Sequence, residues 1–299
     1  MKKIRIILML LLPFYWLSAQ NLKPYIVGFE SSESILATQE KVEKQLEKNG
    51  IKVVGQYQPA NDKNRCVIVI TSVELENAIK KIGGLTGFAA TLRVGITNEN
   101  GKTVVSYTNP IYWGNAYFRT DYAKVSANYT ALTNHLENTM KALGELSNKP
   151  FGSKNGLTEK SLQNYHYMIA MPYFNDIIEL AKFDNYTDAV AKIDGNLKKG
   201  VSDIKLVSKV TIPGKDLTLY NLAISGEKGE SKFLPIIDIS QPKHTAFLPY
   251  EVLVWGNKVV MLHGRYRIAL SFPDLTMGTF TKIMSAPGNI ENSLKQVVK

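Results

Sequence analysis

Cysteine is almost missing from this 299-residue chain. With one thiol, Cys66, no internal disulfide can form, so stability must come from packed cores, which a chain of this length can build. Cys66 sits inside the apolar run CVIVIT and reads as a buried, inert thiol, not a nucleophile. It does not follow the N-terminal apolar run, which argues against lipidation there. Histidine is scarce too: His135, His166, His244 and His263 are the four, and no two stand three or four residues apart. HExxH and CxxC do not occur, so no zinc site is called for. GxSxG is absent, and Ser106 in VVSYT reads as a plain strand residue. Gly83-Gly84 and Gly87 lack the spacing of a phosphate loop. No motif implies a cofactor. Past the N-terminus no run approaches 18 apolar residues, so no stable membrane span is expected once the leader is removed.

The N-terminus itself, MKKIRIILMLLLPFYWLSAQ, has Lys2, Lys3 and Arg5 ahead of an apolar run, then Ser18 and Ala19. This is the layout of a signal peptide over residues 1–20, and the apolar stretch is shorter than the about 20 residues of a membrane span. A periplasmic or secreted protein is the expectation. The formal charge is +10, of which the first 20 residues carry three positive charges and no acid, leaving +7. The lysines are interleaved with acids and form no cluster with aromatics, so a solvated basic surface is expected, without nucleic acid as partner. Hydrophobic residues make up 44% and charged residues 21%, as in globular chains.

What the sequence does contain is one pattern written twice. SESILATQEKVEKQLEKNG (32–50) places Ile35, Val42 and Leu46 on one helical stripe, with serines to cap it and Gly50 to stop it. DNYTDAVAKIDGNLKKG (184–200) repeats this with Tyr186, Val190, Ile193 and Leu197. The acids Glu40, Glu43 and Glu47 alternate with Lys41, Lys44 and Lys48 as a solvated face. A strand precedes each helix, YIVGFE (25–30) and IIELAKF (177–183). Strands follow: IKVVGQYQP and CVIVIT in the first copy, IKLVSKVTIP and LYNLAIS in the second. Then come TGF (86–88) and TAF (245–247), and the hairpins LRVGITNENGKTVVSYT (92–108) and YEVLVWGNKVVMLHG (250–264). A helical stretch closes each copy, near Asp121–Leu146 and Ile290–Val298, and the first hairpin runs into an Asn-Pro turn. The pattern predicts an α+β fold of two similar halves, each a mostly antiparallel sheet with helices packed on one face. The divisions are 21–147 for the first repeat, 148–175 for a linker and extra element, and 176–299 for the second repeat. NKPFGSKNG (148–156) reads as a linker or surface loop, and 157–174 as either a helix or an extra strand.

The run GEKGESKFLPIIDISQP (226–242) followed by FLPYEVLVWGNKVVMLHG resembles domain-of-unknown-function family 302. LRVGITNENGKTVVSYTNPIYW resembles the same hairpin in the first half. The first copy departs with Ala90-Thr91 where the second has Leu248-Pro249, and the second with Gly264-Arg265 where the first has Asn109-Pro110. The resemblance implies a small α+β fold able to pair, hence a pseudo-two-fold dimer within one chain. It implies no activity.

Candidate ligand-binding residues gather at the hairpin ends: Tyr107, Asn109 and Trp113 in the first half, with Tyr112 beside them, and Trp255, His263 and Arg265 in the second. Aromatics near a polar turn can line a cleft or an interface between the halves, and the interface is the favoured reading. His135 reads as exposed, and His166, between Tyr165 and Tyr167, as a packed or interface histidine, not a ligand. No catalytic and no metal residue is assigned. Asn128 and Asn185 head Asn-Tyr-Thr triplets of the glycosylation-acceptor type. The expected function is that of an exported, non-enzymatic binding or interaction module. The rivals are an enzyme working through His263, Arg265 and Tyr107, and a carrier of a small apolar ligand held between the halves.

Overall fold

Two helices show how local chemistry sets the frame. In the computed structural model, which describes residues 21–299, α1 (Ile35–Lys48) starts where the Ser34 hydroxyl accepts a hydrogen bond from the Ala37 amide at 3.3 Å. Thr38, Val42 and Leu46, four residues apart, form its buried stripe. Its counterpart in the second half, Tyr186–Lys199, starts at Asn185, whose side chain accepts from the Asp188 amide at 2.9 Å. Both stop at a glycine with positive φ, +77° at Gly50 and +92° at Gly200. The expected leader lies outside the described residues.

The first half runs β1 (Tyr25–Ser31), α1, β2 (Lys52–Tyr57), β3 (Arg65–Thr71), α2 (Val73–Ile82), a 3-10 segment Gly84–Ala90, β4 (Leu92–Glu99), β5 (Lys102–Thr108), α3 (Pro110–Phe118) and α4 (Ser126–Leu143). The joining stretch holds β6 (Lys149–Phe151) and α5 (Glu159–Gln163). The second half runs β7 (Ile178–Lys182), α6 (Tyr186–Lys199), β8 (Ile204–Thr211), β9 (Leu217–Ile224), α7 (Glu230–Ile237), a 3-10 segment Thr245–Phe247, β10 (Tyr250–Trp255), β11 (Lys258–Met261), α8 (Gly264–Ser271), α9 (Met277–Lys282) and α10 (Ala286–Leu294). The sheets have the orders β2-β3-β4-β5-β1-β6 and β7-β11-β10-β9-β8. Apart from β6 these are one order read from opposite ends, and the pairings are antiparallel. The α+β architecture in two parts stands as the sequence predicts.

Four local expectations change. The Asn-Pro turn after the first hairpin is the start of α3: Asn109 caps it and Pro110 takes the first helical position, where its missing N–H costs nothing. The matching α8 is capped by His263. Residues 148–156 are not only a loop, because β6 adds an edge strand to β1, pairing Tyr25 with Phe151 and Val27 with Lys149. Pro150 is tolerated there because an edge strand can lack a donor. The stretch 157–174 resolves into the short α5 and irregular chain, with no strand. The closing helices shift: α4 ends at Leu143 after a 3-10 turn over Arg119–Lys124, and α10 starts at Ala286, leaving Lys295–Val298 as a 3-10 turn.

The central strands are buried on both faces. Every residue of β3 from Cys66 to Thr71 is buried, as are all of β5 after Lys102 and β10 up to Val254. Continuous apolar runs, not alternation, suit strands covered on both sides. The 3-10 segment Gly84–Ala90 lies against β9 and β10, and its counterpart Thr245–Phe247 lies against β4 and β5. Glycines permit these approaches. A Cβ on Gly55 of β2 would come 2.1 Å from the Val207 carbonyl oxygen of β8, and one on Gly95 of β4 would come 2.8 Å from the Ala246 amide nitrogen.

Candidate functional site

Buried charge gathers where β4, β10 and α8 meet. Arg93, set in the apolar run of β4, and Arg267 of α8 share the Glu251 carboxylate of β10. Arg267 also donates to the Phe247 carbonyl at 2.7 Å and lies 5.0 Å from the centre of the Trp113 ring. Burial, then the neighbouring Arg267 charge, lowers the proton affinity of Arg93. Its three side chains are almost wholly buried, and the cluster reads as structural.

Glu230, at the start of α7, accepts from the Tyr57 hydroxyl at 3.1 Å, the Ala60 amide at 2.9 Å and the Ile224 amide at 3.1 Å. Burial outweighs those three hydrogen bonds and pushes its carboxyl up to about 7. It borders a cleft of about 410 Å³ with Tyr57, Asn61, Lys205 and Ser231.

The third cluster carries the strongest site geometry. Asp238, just past α7, accepts from the His244 amide at 2.8 Å and meets His244 Nδ1 at 3.1 Å through the same oxygen, while its other oxygen pairs with Arg65 of β3. Burial alone would raise the Asp238 carboxyl, but the His244 and Arg65 contacts overcome it and hold the group below its ordinary value. An ionised carboxylate can only accept, so Nδ1 carries the proton and Nε2 is left as the free edge of the ring. The imidazole is caged by Tyr25, Phe151 and Phe272, with ring centres 5.1, 5.7 and 4.5 Å away. It forms part of the wall of a cleft of about 500 Å³ at the meeting of β6, the 238–244 loop and the chain after α8.

The residues singled out from the sequence divide into three groups. Asn109 and Trp113 sit together on α3: the Asn109 side chain caps the helix through the Ile111 amide at 3.1 Å and donates to the Lys23 carbonyl at 2.9 Å. Trp113 donates to the Pro24 carbonyl at 2.9 Å and covers Arg267. Tyr112 donates to the Leu270 carbonyl at 2.8 Å, in the other half. Tyr107 is wholly buried in β5, where burial raises its hydroxyl well above the usual value. These four face packed interior, not a ligand cleft. His263 and Arg265 head α8, where His263 Nδ1 accepts from the Arg265 amide at 3.2 Å, so the histidine is a helix cap equivalent to Asn109. Burial, then the Arg265 charge, lowers His263 below its ordinary value. Both border a cleft of about 260 Å³ with Met284 and Glu291. Trp255 does not join them. It is 39% exposed at the far end of β10, beside the hairpin turn, while His263 lies past the opposite end of β11. No hydrogen bond or cleft among the described residues brings Tyr107, Trp255 and His263 together.

His166 is packed as expected, stacked at 4.0 Å on Tyr173 with Nε2 at 2.7 Å from the Met171 carbonyl. His135 is half-buried, not exposed, because its Nδ1 meets the Asn49 carbonyl at 2.7 Å and closes the end of α1. Cys66 is buried and its thiol is pushed up to about 12 by burial, then by Glu43. No group of three or more His, Cys, Asp or Glu able to hold a metal occurs among the described residues.

No family model matches the chain, and no curated protein matches it. One similar solved structure is an uncharacterised conserved protein, DUF302, from Bacillus stearothermophilus. It aligns at 16% identity over 38% of this chain and 97% of its own length, with a TM-score of 0.33. A likeness that low leaves any reading of activity to the residues of this chain.

Proposed function

We propose that this is an exported, non-enzymatic binding module formed by duplication, whose two halves act as one pseudo-symmetric body and hold a small ligand at their junction. The single observation that carries the binding reading is the cleft of about 500 Å³ walled by His244, within the about 300–1,000 Å³ of ordinary ligand sites. The repeated strand order and the reciprocal seating of the two 3-10 segments support the duplicated, paired arrangement. The pattern of residues 1–20 supports export. The test is native mass spectrometry on the protein purified from its own host's envelope. A stoichiometric extra mass is expected, and a clean unliganded mass from several growth conditions would refute ligand holding. Turnover of an envelope substrate by the same preparation would overturn the non-enzymatic reading.

A further inference from the structure

The His244 cleft has a chemical polarity that names its ligand. One side is apolar, from Phe151, Ile237, Phe272 and Leu275. Lys23 and Lys149 border the same space, and the one carboxylate lining it, Asp274, is engaged by the Ser153 hydroxyl at 3.0 Å and by the Lys154 amide. Ser240, Gln241, Thr276 and Thr279 are neutral polar residues of the lining, and His244 adds a ring whose side chain is 6% exposed and whose Nε2 has no hydrogen-bond partner among the described residues. Gly152 packs closely beside the ring: its φ is +95°, and a Cβ there would meet Pro24 and Tyr25 at 2.8 Å and Nε2 at 3.1 Å.

Resting on the binding reading above, we infer that this cleft takes a small carboxylic acid with an apolar body, its head group on His244 Nε2 and near the two lysines. With Nδ1 directed at Asp238, Nε2 is the ring nitrogen left to meet the ligand's carboxylate. The ligand arrives as a carboxylate and accepts from Nε2–H; in the imidazolium form the second ring proton is taken from water, and Asp238 accepts Nδ1–H on the other side. An alcohol of the same shape can donate a hydrogen bond but gains no charge pair, so the site discriminates by charge as well as by fit.

The experiment is calorimetric titration of the purified protein with 4-phenylbutyrate and with 4-phenylbutanol. The acid is expected to bind at least about tenfold more tightly, the scale of a charge-assisted hydrogen bond. His244→Gln and, separately, Lys149→Glu at an exposed position should each weaken the acid by about tenfold and leave the alcohol unchanged. Lys149→Glu keeps the test valid if His244→Gln disturbs folding. Equal binding of acid and alcohol, or acid binding indifferent to both substitutions, overturns the assignment. No heat from the acid, together with a bound mass on the native protein, overturns the ligand class but keeps the binding module. No heat and no bound mass overturn both.

Discussion

Removing the Glu251 carboxylate tests whether the buried charges that join β4, β10 and α8 support the fold. Arg93 and Arg267 are 1% and 2% exposed, and both pair with Glu251, itself 3% exposed. Glu251→Ala leaves two guanidiniums without a counter-charge. They are not equally stranded. Arg267 keeps the Phe247 carbonyl, the Ser271 hydroxyl and the faces of Trp113 and Phe247. Arg93 keeps only Asn221 Oδ1, at 3.3 Å, and its Nε already has no partner. Breaking a buried pair from one side costs about 3–5 kcal/mol, and the upper half of that range is expected here because two charges lose one partner. That is a large share of the about 5–15 kcal/mol that separates folded from unfolded domains. Urea unfolding followed by tryptophan fluorescence measures it, since Trp113 is buried against Arg267. The midpoint should fall with little change in slope. Adding Arg93→Met to Glu251→Ala should restore about 1–2 kcal/mol, because the worse-placed charge is removed with its partner. A loss under about 1 kcal/mol for Glu251→Ala, or strictly additive costs in the double variant, would refute the argument.

Glu230 gives a pH dependence of definite sign. Its carboxyl is 4.5 in the ordinary state and about 7 when folded, so the folded chain holds the proton more tightly. Its contribution to stability is complete below about 4.5 and is lost as pH rises to about 7, by about 3.5 kcal/mol at most at about 1.4 kcal/mol per pH unit. Urea midpoints at several pH values should show that fall in the native sequence and a flatter profile in Glu230→Gln. Gly55→Ala should destabilise by about 1–3 kcal/mol or more, because the rigid Val207 carbonyl occupies the new methyl's place; thermal melting would show it. Cys66 should resist an aromatic disulfide reagent at pH 8 while the protein is folded and react at once in urea, since its thiol is buried and pushed up to about 12.

The repeated frame was legible because it rests on local chemistry. Ser34 and Asn185 are caps, Gly50 and Gly200 are stops, and Val42, Leu46 and Ile193 form stripes at helical spacing. α3 and α8 escaped for a different reason. They are buried nearly all round, so they carry no amphipathic period. The signal that was present is Asn109-Pro110, a cap followed by proline at the first helical position, which served equally well as a turn. β6 escaped because three residues, one of them Pro150, carry no period, and its partner edge on β1 exists only once the sheet is built.

The site was harder to read because its parts come from distant segments. Asp238 and His244 stand six residues apart, a spacing with no meaning until the Asp238 turn brings the side chain back onto the His244 amide. Arg65 arrives from β3, and the aromatic cage from β1, β6 and the chain beyond α8. Tyr107, Tyr112 and Trp113 stand out in the sequence because tyrosine and tryptophan fill interiors where helices meet sheets, and all three are buried there. A sharper signal lay in single charges inside apolar runs: Arg93 in LRVGIT, Glu251 in YEVLVW and Arg267 in YRIALS. A charge in such a run is costly unless something distant pairs with it. Three of them therefore announce a buried contact between segments, although sequence alone does not say which charge meets which. The same logic separates the structural cluster from the site. Arg93, Glu251 and Arg267 find their charge partners in one another, whereas the Asp238–His244 pair has one edge, Nε2, that the described protein leaves unanswered beside a cleft.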